Sequence, residues 1–376
     1  MLRLRRATVR EAGPRDVGEQ DLAVELDGRL RRAIADVALV GAAEVGDELI
    51  VNVQALDLAL GSGGFDIVHA NLTRGLSAGE GEAGANVMKL NYTSLQHAVR
   101  PVDDERLQLP IERPVAVLAM HGQLAAVAWA FAQGAPGGRL GYVQTEGGAL
   151  PGSHSRTVRI LRERGLLAGH LTAGAAFGGE GEAISTAGGL HHGLRTLGWD
   201  AALCGPGPGL VGSGSALGHG GMSALDSAHA SLALGCPTLL VARMSSGDER
   251  ARHRGISHHS LTVLDLLLEP VTVALPAGMR SPVGADLRAG LGAVFGEPAA
   301  SRPALAQDVQ RPVRITRHDW RRAVVDLPSY AASGLPAETM GRGLTEDPLF
   351  FAGALAGGAA LAELLAQCVQ DEPAGA

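Results

Sequence analysis

From residue 115 onward, short apolar runs recur at intervals that leave room for one helix between each pair. They are Val115–Met120, Leu140–Gln144, Leu167–Thr172, Ala201–Cys204, Thr238–Ala242 and Val271–Leu275. A strand that is apolar at every position is buried on both faces, which demands helices above and below it. Strands separated by helix-length segments then pair in parallel. The alternation predicts an α/β fold with a mostly parallel, doubly wound sheet. Two of the intervening segments carry helical stripes, at positions 222, 225, 229 and 232 and at 184, 187, 191, 194 and 197. His229 and His191 fall on those stripes and read as hydrogen-bonded core residues.

The first hundred residues follow a different rhythm. Leu22, Val24 and Leu26 alternate with polar or small neighbours up to an Asp27-Gly28 turn, after which Arg29–Ile34 leads away as in a hairpin. Glu48–Val53, Phe65–Leu72 and Val87–Tyr92 are further extended candidates, the last with Met88, Leu90 and Tyr92 on one face. These strands predict a small barrel-like β domain over 1–105. The proline-rich stretch 101–114 then connects it to an α/β domain over 115–376. Gly61–Gly64 reads as a flexible turn. Past residue 280, Pro- and Ala-rich sequence leads to a basic stretch, Arg311–Arg322, and a C-terminal apolar helix. Glu363 interrupts that helix short of the roughly 20 residues a membrane span needs, so a buried core helix is expected.

Composition removes several classes of function. The chain is 46% hydrophobic with a net charge of -7, and its basic residues are scattered. Neither a nucleic-acid footprint nor a set of stacking aromatics is present, so no nucleic acid and no membrane are expected among its partners. Lys89 is the sole lysine, so a phosphate-loop or Schiff-base lysine would have to be that residue, far from any Gly-rich loop. Cys204, Cys236 and Cys368 have no paired spacing and read as buried thiols in a reducing compartment. The charged N-terminus lacks an apolar signal core, and a cytoplasmic location is expected.

Candidate chemistry gathers after the strands. In an open α/β sheet, ligands bind beyond the carboxyl ends of the strands, and the unusual segments of this chain begin there. The fifth apolar run is followed by Arg252-His-Arg-Gly-Ile-Ser-His-His259, a mixture that packing alone does not call for. His253, His258 and His259 are candidate catalytic residues, as proton carriers or metal ligands. Arg252 and Arg254 are candidate anchors for an acidic substrate. Placed before a helix, His258 and His259 would be kept neutral by the helix dipole. Glu146 and Glu182 are candidate catalytic carboxylates. A set of His253, His258 and Glu182, or a carboxylate from Glu146, Glu180 or Asp248, would suit zinc or manganese. A plain loop capped by Ser257 or Ser260 is the competing structural reading. The loop after the fourth run, with Gly207, Gly209, Gly212, Ser213, Gly214 and Ser215, is read as an anion cradle for phosphate or carboxylate, against the alternative of a tight crossover. Its formal dinucleotide fingerprint is spoiled by embedded prolines and by the lack of an acidic residue at the next strand end.

The runs Val45–Asn52, Gly147–Pro151, Ala176–Gly179 with Glu182, Gly205–Gly209 with Gly212, Arg252–His259, Met340-Gly-Arg342 and Asp347–Phe351 together resemble a bacterial family catalogued as a domain of unknown function, number 3866. The resemblance spans nearly the whole chain and implies one cytosolic protein, not a fusion of unrelated modules. The expectation for function is an enzyme of hydrolytic or related acid/base chemistry on a small anionic metabolite. A divalent metal, zinc or manganese, would assist, and the enzyme is expected to form a homo-oligomer. A non-catalytic metabolite sensor and a nicotinamide-dependent oxidoreductase are the alternatives.

Overall fold

The computed structural model describes residues 1–15, 18–60, 63–76, 83–103, 106–277 and 315–371. The Pro- and Ala-rich sequence after 280, the beginning of the basic stretch at 311–314, positions 61 and 62 of the Gly-rich turn, and 104 and 105 of the connection lie outside the described residues. The chain forms two compact units. One comprises Met1–Pro101 with Pro151–His154 and Phe177–Gly179, and the other comprises Val102–Leu150, Ser155–Ala176 and Glu180–Ala376.

The first unit is a closed barrel of β1 (Leu4–Ala12), β2 (Glu19–Leu26), β3 (Arg29–Asp36), β4 (Glu48–Asn52) and β5 (Asp66–Asn71). The strand order is β1-β2-β3-β5-β4, and β1 pairs with β4 to close the ring. Alternation builds it: Leu22, Val24, Leu49, Val51 and Val68 point inward with Ala7 and Val9 of β1. The β2–β3 turn takes positive φ at both Asp27 and Gly28, as a two-residue hairpin of this hand requires. Arginines on the outside are paired with acids, among them Arg10 with Glu25 and Arg32 with Asp21. A short pair, β6 (Val87–Lys89) and β7 (His97–Val99), follows. The expected strand to Tyr92 stops at Lys89, because Leu90 and Tyr92 adopt positive φ and Tyr92 is exposed.

In the second unit the chain runs through β8 (Val115–Leu118), β9 (Leu140–Thr145), β10 (Gly169–Ala173), β11 (Gly181–Ala183), β12 (Ala201–Pro206) and β13 (Thr238–Val241). A small antiparallel pair, β14 (Met244–Ser245) and β15 (Gly255–Ile256), precedes β16 (Thr272–Ala277) and β17 (Asp319–Val324). The sheet is all parallel, in the order β11-β10-β9-β12-β8-β13-β16-β17. Successive residues of β8 serve opposite layers. Ala116 and Leu118 join helices Leu124–Gly134, Arg156–Glu163 and Pro348–Asp371, while Val115 and Val117 join helices Thr186–His191, Ser223–Ala233 and His258–Leu266. Within Ser223–Ala233 the buried face is Ala224, Ser227, Ala228 and Ser231 rather than the expected stripe of larger residues. Small side chains there bring the helix close to the sheet.

Helix Pro348–Asp371 is long and apolar enough to cross a membrane by composition, but 83% of its most apolar window is buried inside this unit. It crosses helix Leu124–Gly134 at contact distance, for a Cβ on Gly358 would lie 2.2 Å from the Val127 carbonyl oxygen. The helices after β8 and β9 lie in one layer and those after β12 and β13 in the other. The neighbouring carboxyl ends of β9, β12, β8 and β13 therefore open the crevice where such sheets bind ligands.

Candidate metal centre

The chain leaving β13 turns through the β14–β15 pair and a single 3-10 turn, Ala251–His253, before entering helix His258–Leu266. Ser257 caps that helix: its Oγ accepts the amide of His259 at 3.3 Å and lies 2.8 Å from His253 Nδ1. One hydroxyl thus starts the helix and orients a ring, leaving Nε2 of His253 for the cluster. The competing structural reading of this loop is correct about the cap, and the histidines gather around it. One ring nitrogen from each of His253, His258 and His259 lies within 4.8 Å of the others. Ring centroids are 4.8 Å apart for His253 and His258 and 4.3 Å for His258 and His259.

A fourth histidine arrives from the loop after β12. His219 stacks on His259 with centroids 3.6 Å apart and an interplanar angle of 14°. Its Nε2 faces the Ala216 carbonyl at 3.1 Å. Because a carbonyl only accepts, Nε2 carries the proton and Nδ1 keeps the lone pair. That Nδ1 and the Nε2 of His258 are buried without a hydrogen-bond partner.

Burial is the main reason these rings stay neutral. It holds His253 down at about 3, with Arg243 and Arg250 adding to the effect. Burial, followed by repulsion from neighbouring rings, lowers His258 to about 4 and His259 to about 2, and His219 also falls. Neutral imidazoles with unused lone pairs are what a metal ion needs from its ligands.

Around the rings lies a charged network. Asp248 is buried and takes Arg243 at 3.0 Å, Arg250 at 2.9 Å and Arg342 at 3.5 Å. Its carboxylate is held well below the usual range by Arg250 against the opposing effect of burial. Asp347 accepts from Ser245 Oγ at 2.6 Å, from the amides of Ser246 and Gly247, and from Arg342. Arg243, at the end of β13, is itself buried and brings Nη1 to 3.4 Å from His259 Nδ1. Deeper in the crevice, buried Gln123 ties two strand ends together. Its Oε1 accepts from the amides of Ala119 and Met120, and its Nε2 donates to the carbonyls of Val241 and Ala242.

The structure unites only part of the set expected from sequence. His253, His258 and His259 come together as expected. Glu182 does not join them: it sits on β11, five strand positions from β13 or about 24 Å at roughly 4.8 Å per strand, and accepts a hydrogen bond from Thr172 Oγ1. Glu180 pairs with Arg162, and Asp248 is occupied by three arginines. Glu146 is exposed, on a loop whose Gly147 backbone touches that of Gly220 beside His219. Arg252 and Arg254 are exposed; Arg254 donates to the Asp248 carbonyl, and the charge of Arg252 helps to hold His258 down, while Arg243 comes within 3.4 Å of a ring nitrogen.

In the 207–215 loop, both serines are engaged within the loop itself. Ser213 and Ser215 bond each other at 3.0 Å, the Ser213 amide donates to the Gly218 carbonyl, and the Gly218 amide donates to Ser215 Oγ. The serine hydroxyls thus shape the loop that carries Gly207, Gly209, Gly212 and Gly214, and the loop also places His219. His191 and His229 accept the amides of Gln108 and Leu268, as core histidines do.

A pH effect follows from the rings buried in this unit. His121 and His170 are both pushed down by burial, to about 4 and about 3. Since each folded-state value lies below the unfolded one, the unfolded chain binds protons first as pH falls. Stability is therefore unaffected above about 6.5 and declines below it until the folded pKa is reached. Each of the two contributes at most about 1.4 kcal/mol per pH unit. Urea midpoints measured between pH 7.5 and 4.5 should fall steeply below pH 6, and a flat profile would contradict the neutral rings.

Comparison with curated proteins returns no match. Among solved structures, the crystal structure of YjeQ from Thermotoga maritima aligns with 12% identity over 59% of this chain and 65% of that one, at a TM-score of 0.16, too low to inform fold or function. The profile of one family matches residues 32–358, and the chain belongs to that family, described as a protein of unknown function, DUF3866.

Proposed function

We propose that His253, His258 and His259 hold a divalent metal and that the protein uses this centre for hydrolysis of a small anionic substrate. The observation that carries the reading is the convergence of three neutral ring nitrogens within 4.8 Å, with buried His258 Nε2 lacking any partner. Ligands of a tetrahedral zinc ion lie about 3.4 Å from one another, given bonds of roughly 2.0–2.1 Å, so small side-chain rotations complete the site. A set of imidazoles without a carboxylate favours zinc over manganese, which prefers oxygen ligands.

His253, His258 and His259 would hold the ion, which would supply Lewis acidity and activate water for hydrolysis near neutral pH. Ser257 fixes the His253 ring from behind, in the way outer hydrogen bonds orient metal ligands. His219, stacked on His259 with a free Nδ1, is placed to take a proton. The surrounding guanidiniums suit a substrate of negative charge.

Metal analysis of the purified protein is the test. About one zinc per chain is expected after dialysis against zinc and buffer. Protein that neither retains nor takes up zinc at micromolar concentrations would refute the centre.

A further inference from the structure

The polar shell of the three-histidine site carries an excess of positive charge, and this has a chemical consequence for what can bind. Within the network behind the rings, three guanidiniums (Arg243, Arg250 and Arg342) face two carboxylates, Asp248 and Asp347. None of the three clustered ligands is a carboxylate. A divalent ion held by neutral imidazoles would keep its full charge in a buried place beside an uncompensated guanidinium, an arrangement that low dielectric makes unfavourable. Arg243 is the member of the network that reaches the rings. Asp248 engages its Nη2 at 3.0 Å, and its Nη1 makes only a long 3.4 Å approach to His259 Nδ1. A guanidinium whose second edge is held this loosely has donors left for an oxyanion, and two parallel N–H groups match a carboxylate or phosphoryl group.

Resting on the metal reading above, we infer that the centre binds its metal together with an oxyanion, and that Arg243 is the positioning residue that couples the two. The anion occupies the open position of the metal and takes hydrogen bonds from Arg243. Each partner therefore raises the affinity of the other by the same factor, as linkage requires. The substrate class is a small phosphoryl- or carboxylate-bearing molecule.

Cobalt(II) serves as the probe, because its visible absorption reports binding by imidazole nitrogens directly. Titrations of the full chain are run in chloride alone and with methylphosphonate or acetate at equal ionic strength, with thermal melts of every variant. Methylphosphonate or acetate should tighten cobalt binding at least about 10-fold, and whichever acts more strongly separates a phosphoryl from a carboxyl substrate. Arg243→Met should tighten cobalt binding in chloride by removing a like charge, and should abolish the anion effect. Arg243→Lys keeps the charge without the paired donors, and should reduce the anion effect while leaving affinity in chloride near that of the wild type. If Arg243→Met fails to fold, the wild-type and lysine titrations carry the test. Cobalt affinity indifferent to both anions overturns the coupling while leaving the metal centre intact. Absence of any cobalt binding would instead bring down the metal reading itself. An anion effect that survives in Arg243→Met or Arg243→Lys at full size removes Arg243 from the role.

Discussion

Replacing His258 by alanine should lower zinc affinity by more than about 100-fold while leaving the metal-free protein folded. Loss of an outer hydrogen bond to a ligand already costs 10- to 100-fold, and His258 is proposed as a ligand itself. Its effect on the apo protein is the more discriminating part. His258 Nε2 is buried and unpartnered, and such an atom costs about 1–3 kcal/mol relative to one that is satisfied. Removing the ring relieves that cost and offsets the packing it loses. The apo variant should therefore melt within a few degrees of wild type, and His258→Leu should melt at or above it. Zinc should raise the melting temperature of wild type and leave both variants unmoved. Variants that lose stability without zinc and still respond to zinc would show that His258 is a packing residue.

The second large effect concerns the core of the same unit. Gly358→Leu should destabilise the protein by about 3 kcal/mol or more, because the added side chain has no space at the helix crossing. A Cβ on Gly358 would meet the Val127 carbonyl oxygen at 2.2 Å and the Ala130 Cβ at 2.8 Å. A backbone oxygen inside a helix cannot swing aside as a side chain can. Even Gly358→Ala should be destabilising, although alanine in an open helix gains about 1 kcal/mol over glycine. Urea midpoints of the two variants check this. An alanine variant more stable than wild type would mean that the helices are further apart.

The parallel sheet was legible because burial on two faces leaves a simple mark. All six apolar runs became strands, and each differs from its expected bounds by only a residue or two. Among the strands of the barrel and the parallel sheet, β1, β11 and β17 escaped for one reason: little of each is apolar and continuous. β1 hides Ala7 and Val9 among arginines, β11 is Gly-Glu-Ala, and only Ala323 is buried in β17.

The site was legible where one segment carried its chemistry, at 252–260. It was less so where residues distant in sequence converge. His219 stood at the end of the Gly-rich loop after β12, two strand positions from β13, and the sequence reading did not single it out. Arg243 offered no such sign, being a single charged residue after an apolar run. Glu182 shows the limit of arguing from strand ends alone. A carboxyl end places a residue on the right edge of a sheet, but only the strand order says how far along that edge it lies.

Asp347 closes the loop that carries Asp248, reaching back 102 residues in sequence to Ser245. On a ribosome adding roughly 5–20 residues per second, the histidines are synthesised some 5 to 20 seconds before the segment that pins their supporting loop. During that interval the loop lacks the hydrogen bonds that Asp347 gives Ser245, Ser246 and Gly247. If the three histidines hold a metal as proposed, capture would await Asp347 and the docking of helix Pro348–Asp371, so a distant segment would commit the centre.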